Sequence, residues 1–301
     1  MAAISATLVK DLREKSGAGM LECKKALEEN GGDLAKAMDW LREKGIASAG
    51  KKASRAANEG LVALHVAADG RKGVMVEINC ETDFVARTED FKALASQLAE
   101  QATGEALSTD PAQAASELLA RPFARQSGQT VEEALKALIG KLGENMSLAR
   151  VASLEVKGSG LLAAYRHADG KLGTLVALGC AKADTLSKDD FKSLGHDLAL
   201  QVAGSNPPAL VVKREEIDAD FIAKEREIAL VQAKATGKPE AILPKIAEGK
   251  VNKVLEEITL LEQPFIKEPG TKVGDLLKKA ASGLGDTAEV QGFKRLKVGE
   301  K

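Results

Sequence analysis

Apolar positions recur with two different periods along this chain, and the changes of period divide it. Over the first 55 residues the period is helical. Ile4, Leu8, Val9 and Leu12 form one stripe, which Ser16-Gly17-Ala18-Gly19 ends. Met20, Leu21, Ala26 and Leu27 form a second. Asn30-Gly31-Gly32-Asp33 then supplies a break and an N-cap, and Leu34, Ala37, Met38 and Leu41 form a third stripe. Three short helices are predicted, with Trp40 in their core or on its rim. Gly45 to Arg55, rich in Ala, Ser, Gly and Lys, reads as a linker or a marginal helix.

From residue 60 the period becomes two, and the pattern repeats. Residues 60–104 match 160–204 without a gap. Gly60-Leu61, Ala68-Asp69-Gly70, Gly73, Val76, Cys80 and Asp90-Phe91-Lys92 all recur 100 positions later. Two copies at this period mean duplicated units rather than a solenoid. Each copy reads strand, Asp-Gly turn, strand, loop, helix. Val74, Val76, Ile78 and Cys80 alternate onto one strand face, as do Thr174, Val176, Leu178 and Cys180. Phe91, Leu94 and Leu98, with Phe191, Leu194 and Leu198, are spaced to pack a helix on that face.

Residues 105–140 read as Ala-rich helix punctuated by Pro111 and Pro122, and 141–157 as the lead into the second copy. Beyond Asn206-Pro207-Pro208, Ile217, Phe221, Lys224, Ile228, Val231 and Ala235 recur at spacings of three and four. Leu243, Ala247, Val251, Val254, Ile258 and Leu261 do the same, after a Gly237-Lys238-Pro239 turn. These predict an antiparallel helical hairpin whose second helix starts or kinks at Pro244. A helix from Val273 to about Ala281 and a strand over Phe293–Val298 follow. The strand is expected to return to the second copy's sheet, with the hairpin as an insertion.

The fold class is therefore α+β. The expected units are a helical module and linker (1–55), an N-terminal core subdomain (56–140) and a C-terminal core subdomain (141–212). The hairpin (213–262) and the returning segment (263–301) complete it. The net charge of −1 gives no basic footprint for nucleic acid, so no DNA partner is expected. No apolar run approaches the roughly 20 residues that span a bilayer. Asp11, Arg13 and Glu14 interrupt any secretory leader, and three scattered cysteines imply no disulfide framework. A cytoplasmic protein without membrane attachment is expected.

Asn79 to Arg87 is the most informative stretch. Positions 81–87 read Glu-Thr-Asp-Phe-Val-Ala-Arg, whereas 181–187 read Ala-Lys-Ala-Asp-Thr-Leu-Ser. The duplicated fold does not require Asp83-Phe84. Phe84 is either a core residue or an exposed interaction residue, and the repeat asymmetry favours exposure. Asp83 can also cap the next helix. Cys80, on an apolar face, reads as a buried thiol more than a nucleophile. His65, His167 and His196 have no metal-ligand spacing, so no metal and no cofactor are expected. His65 and its repeat equivalent Tyr165 read as packing residues, and His167 lies beside the second Asp-Gly turn. No phosphate-binding glycine loop is present, which predicts no direct nucleotide binding.

Thr82-Asp83-Phe84-Val85-Ala86-Arg87, with Gly17-Ala18-Gly19-Met20 and Cys23-Lys24-Lys25-Ala26-Leu27, closely resembles the bacterial elongation factor Ts family. The resemblance covers nearly the whole chain. It implies a UBA-like N-terminal module, a coiled-coil hairpin, and guanine-nucleotide exchange on elongation factor Tu, both GDP-bound and nucleotide-free. It implies that Met20 and Leu21 touch the partner's nucleotide-binding domain. It puts Asp83 and Phe84 near the partner's magnesium site, with Thr82 and Val85 also in contact with the partner. It puts Leu142, in Lys141-Leu142-Gly143-Glu144-Asn145, and His167 on the partner's third domain, and has the hairpin reach the partner too. Some members have a further C-terminal helix, and its contact is expected to be missing here. The other readings are an enzyme using Cys80, and a non-catalytic translation-associated adaptor binding through the N-terminal module.

Overall fold

The computed structural model describes residues 4–235 and 239–300. Three helices come first: α1 (Ala6–Ser16), α2 (Met20–Glu29) and α3 (Leu34–Lys52). Ser5 caps α1 and Asp33 caps α3, each side chain accepting backbone N–H bonds. Val9, Leu12, Cys23, Ala26, Leu27 and Ala37 make their core. Trp40 sits on its rim, under the Lys44 ammonium. The stretch read as linker or marginal helix is helix: α3 continues through it to Lys52.

The first core unit follows. Strands β1 (Glu59–Val66) and β2 (Lys72–Cys80) pair antiparallel. Next come α4 (Asp83–Ala86), α5 (Glu89–Thr103), α6 (Pro111–Leu119), α7 (Val131–Leu142) and β3 (Met146–Glu155). The third strand lies beside β2, giving the order β1-β2-β3. Residues 146–155 therefore complete the first sheet, beyond the boundary expected at 140. The strand was hard to read because its register slips opposite Glu77/Ile78, which breaks the alternation along it. As the spacing predicts, Phe91, Leu94 and Leu98 of α5 bury against Val74, Val76, Ile78 and Cys80.

The second unit repeats this plan. Strands β4 (Gly160–Arg166) and β5 (Leu172–Gly179) are followed by α8 (Asp189–Gly204). The hairpin helices α9 (Ala219–Lys234) and α10 (Leu243–Ile258) come next. A small ribbon, β6 (Pro264–Phe265) and β7 (Glu268–Lys272), leads to α11 (Val273–Leu284) and β8 (Glu289–Lys297). The last strand pairs with β5, as expected, in the order β4-β5-β8. It carries the same register slip, opposite Ala177/Leu178. So β8 is the counterpart of β3, and α11 of α7. The hairpin is inserted between α8 and these last two elements.

The heptad spacing picks the buried face of α10 and only part of that of α9. Ala229 and Ala233 are buried on α9, whereas Ile228 and Val231 face solvent. On α10 the buried set is Leu243, Ala247, Val251, Leu255 and Ile258. Ile217, Phe221, Ile222 and Leu230 pack half-buried against the same cluster. Pro244 stands in the first turn of α10, where a missing N–H costs nothing. The Gly237-Lys238 part of the predicted turn lies outside the described residues.

Each sheet buries both faces. One face packs on its own helices, and the other packs on the sister sheet. Val62, Met75, Ala152 and Val156 meet Leu162, Leu175, Ala177 and Leu296 there. The contact is nearly two-fold. Val62 N donates to Gly170 O at 2.8 Å, and Leu162 N to Gly70 O at 3.1 Å. Within each unit the ladder runs one residue further, Val156 N donating to Arg71 O at 2.8 Å and Val298 N to Lys171 O at 2.9 Å. The repeated glycines are explained by this contact. A Cβ at Gly73 would lie 2.2 Å from Leu162 Cδ2, and one at Gly173 would lie 2.8 Å from Val62 Cγ1. Glu77, 2% exposed, is bound by Arg150 Nε at 2.5 Å, and Arg150 also donates to Lys297 O.

Gly73→Val adds volume at the tightest point between the sheets. It is expected to destabilise the chain by about 1–3 kcal/mol. Urea unfolding checks this: the midpoint falls while the slope is kept.

Candidate functional site

The first sheet ends at Cys80, and the chain turns at once into α4. Thr82 caps that turn, its hydroxyl accepting from Val85 N at 3.4 Å. Successive side chains on a helix lie about 100° apart, so one turn has an inside and an outside. Val85 and Ala86 point into the first unit's core. Phe84 points out and is 79% exposed. The interaction reading of Phe84, not the core reading, fits this position.

Asp83 is not a cap. Thr82 caps α4 and Thr88 caps α5. The Asp83 carboxylate instead pairs with Arg87 Nη2 at 2.8 Å, one turn along. Both groups are largely solvated, and such pairs contribute only about 0.3–0.5 kcal/mol. Asp83 can therefore change partners at little cost.

The turn has a firm base. Glu144 follows Gly143, the left-handed residue that ends α7. Its carboxylate accepts from Thr82 N at 3.0 Å and from Thr82 Oγ1 at 2.6 Å. Asn145 N donates to Glu81 Oε1 at 2.6 Å. Asn145 Nδ2 donates to Arg55 O at 2.7 Å, which ties in the chain arriving from α3. In the sequence Glu144 and Asn145 stand out only as neighbours of Leu142. Their signal was the αL glycine followed by an acid, which recurs as Gly285-Asp286 in the second unit.

Met20 and Leu21 open α2 and are 49% and 83% exposed. The turn before them rests on the first unit. A Cβ at Gly17 would lie 2.5 Å from Lys141 Cε. Lys141 in turn binds Asp90 at 2.9 Å. Nearby, α3 crosses α7 where Gly45 meets Gly140, so closely that a Cβ at Gly140 would lie 2.8 Å from Gly45 Cα. Leu142 packs at the edge of the first unit's core. It therefore belongs to the first unit and not to the second, where the expected boundary put it. The last turn of α7 thus links the Met20-Leu21 surface to the Asp83-Phe84 turn through Lys141, Leu142 and Glu144.

His167 is exposed on the β4–β5 turn, its Nδ1 2.9 Å from Tyr165 OH. The same turn reaches the first unit through Lys171, which binds Glu59 Oε2 at 2.5 Å. That carboxylate pushes the Lys171 ammonium up, with smaller contributions from Asp169 and Asp83. His65 and Tyr165 are both partly buried, and Tyr165 packs on the second unit's core.

Cys80 is fully buried, and its Sγ donates to Thr82 O at 3.1 Å. Burial, with the Glu144 and Glu59 carboxylates, pushes its thiol up to about 12. A nucleophilic role needs the thiolate, so this environment opposes one. Cys180 follows the end of β5 and is partly exposed. Among the described residues no acidic, histidine or cysteine cluster is set to hold a metal ion, and no helix is long and apolar enough to cross a membrane.

Comparison with known proteins puts the chain among the translation elongation factors. The profile of the family described as "Elongation factor TS" matches residues 81–300. Elongation factor Ts of Nitratidesulfovibrio vulgaris is 45% identical over 99% of this chain and 96% of that protein. Elongation factor Ts of Trichlorobacter lovleyi is 43% identical over 99% of this chain and 93% of that protein. That of Chloroherpeton thalassium is 42% identical over the whole of both. The chain belongs to the elongation factor Ts family.

The thiols give a test of the site's chemistry. A thiol-reactive disulfide reagent should modify Cys180 first in the native protein, and Cys23 and Cys80 only on unfolding. The raised Cys80 value also fixes a sign. The folded state resists ionisation, so this thiol's contribution is intact below pH 9 and lost as pH rises toward 12. The urea midpoint of the wild type should fall more steeply above pH 9 than that of Cys80→Ala.

Proposed function

We propose that the chain is a guanine-nucleotide exchange factor for elongation factor Tu, acting in the cytoplasm during translation elongation. It binds the GDP-bound and nucleotide-free partner and holds no nucleotide itself. The observation that carries this reading is Phe84, 79% exposed on a turn anchored from below and lacking a counterpart in the sister unit. An aromatic held out in water gains burial only when another surface receives it.

Exchange needs no covalent step. The partner holds GDP through phosphate contacts and Mg²⁺, in a site shaped around both. A protein that prefers the nucleotide-free form weakens GDP binding by the factor by which GDP weakens its own. Burying Phe84 supplies about 1.5–3 kcal/mol for that preference. That corresponds to roughly ten- to a hundredfold in affinity. Asp83 leaves Arg87 and acts on the water and hydrogen-bond network around Mg²⁺, which demands near-octahedral geometry. Met20 and Leu21 add contact area on the nucleotide-binding domain. Leu142, at the edge of the first unit, His167 on the second, and the hairpin extend the interface. Leu142 and His167 are assigned to the third domain of the partner, and Thr82 and Val85 support the turn from within.

The adaptor reading makes the N-terminal module sufficient, and one experiment separates the two. Release of a fluorescent GDP analogue from elongation factor Tu is followed while the factor is titrated. Phe84→Ala should lower the saturating release rate about ten- to a hundredfold. Its unfolding midpoint should stay unchanged, because the side chain makes little contact in the free protein. A wild-type rate in this folded variant would refute the reading. Leu21→Ala should instead raise the half-saturating concentration about tenfold and leave the saturating rate alone.

A further inference from the structure

The two core units hold the loop after their second strand in the same way, and only one of those loops carries an aromatic. In the second unit α11 ends at Gly285, again left-handed, and Asp286 follows. The Asp286 carboxylate accepts from Thr185 Oγ1 at 2.6 Å, Lys182 N at 3.0 Å and Ala181 N at 3.3 Å. The Thr185 hydroxyl and these amides hold its carboxyl down at about 2. The loop it fixes, Ala183–Ser187, is a short 3₁₀ turn. Glu144 does the same for Thr82 in the first unit. There the pinned residue is also the cap of α4, so the direction of Asp83-Phe84 is set from Thr82.

We propose that Glu144 is a positioning residue for exchange: through Thr82 it fixes the direction in which Asp83 and Phe84 leave the scaffold. This rests on the wedge reading of Asp83-Phe84 above. Three observations carry it. Glu144 takes both donors of Thr82, its N–H and its hydroxyl. No salt bridge engages the Glu144 carboxylate among the described residues, so this pair of hydrogen bonds is what orients it. Asn145 beside it is bonded to the carbonyl of Arg55, so the same turn also fixes where the N-terminal module leaves the core. A carboxylate with two donors in one geometry sets both position and rotation of the turn above it. Loss of that geometry lets α4 move as a unit, and a displacement of about 1 Å at a site that works by shape is enough to cost up to roughly a hundredfold in rate.

The titration of fluorescent GDP release separates this role from general support of the fold. Five proteins are compared: the wild type, Phe84→Ala, Glu144→Ala, Glu144→Gln and Asp286→Ala. Glu144→Ala should lower the saturating rate at least about tenfold with a half-saturating concentration within about twofold of wild type. Glu144→Gln keeps one acceptor oxygen and should give an intermediate saturating rate. Asp286→Ala cuts the sister clasp and should keep the wild-type saturating rate. The proposal is overturned if folded Glu144→Ala releases GDP at the wild-type saturating rate while Phe84→Ala is slow. It is equally overturned if Asp286→Ala is as slow as Glu144→Ala, since the defect is then one of stability. Should Glu144→Ala not fold, a wild-type rate in Glu144→Gln overturns it. A wild-type rate in Phe84→Ala removes the wedge reading itself, and the clasp with it.

Discussion

The face-to-face packing of the two small sheets is the contact on which the other layers depend. A three-stranded sheet of this size has one face for its own helices and leaves the other bare. The sister sheet covers that bare face. Val62 and Met75 on one side and Leu162 and Leu175 on the other fill the gap, and Gly73 and Gly173 let the backbones come near enough for it to close. One matched pair of backbone bonds crosses the contact, Val62 N to Gly170 O and Leu162 N to Gly70 O. With the sheets fixed back to back, their helices face outward on opposite sides. The ends of the strands are then free to carry functional turns.

At one strand end the scaffold is used. Cys80, Val85 and Ala86 are buried, and Glu144 holds the cap. Ala86 N and Arg87 N close the turn onto Thr82 O and Asp83 O, and Val85 N bonds the Thr82 hydroxyl. Phe84 and the weakly paired Asp83 stay accessible from outside. The equivalent end of the second unit keeps the clasp and lacks the aromatic. Duplication thus separates what the unit needs to fold from what one copy adds.

Much of this was legible in the residues. The strand and helix faces follow from local patterns with clear periods, and the exposure of Phe84 from the asymmetry between the two repeats 100 residues apart. What escaped had physical reasons. Strand β3 slips register halfway, which breaks its alternation after Leu148. On α9 the buried positions Ala229 and Ala233 are small and only weakly apolar, so the spacing of larger residues drew in Ile228 and Val231, which are exposed, while the α10 face read correctly. Asp83 stood where a cap is common, but Thr82 one residue earlier took the role. The Glu144 clasp joins residues 62 positions apart, a distance that no local pattern reports.

The crossing of α3 over α7 has a further consequence. Helices usually lock their angle by fitting ridges of side chains into grooves. At Gly45 and Gly140 no side chain stands between the helices, and the two backbones meet directly. Arg42 with Glu133, and Gly17 over Lys141, flank that contact. The seating of the N-terminal helices on the first unit thus depends on an absence: any side chain at Gly140 would wedge α3 away and carry Met20 and Leu21 with it.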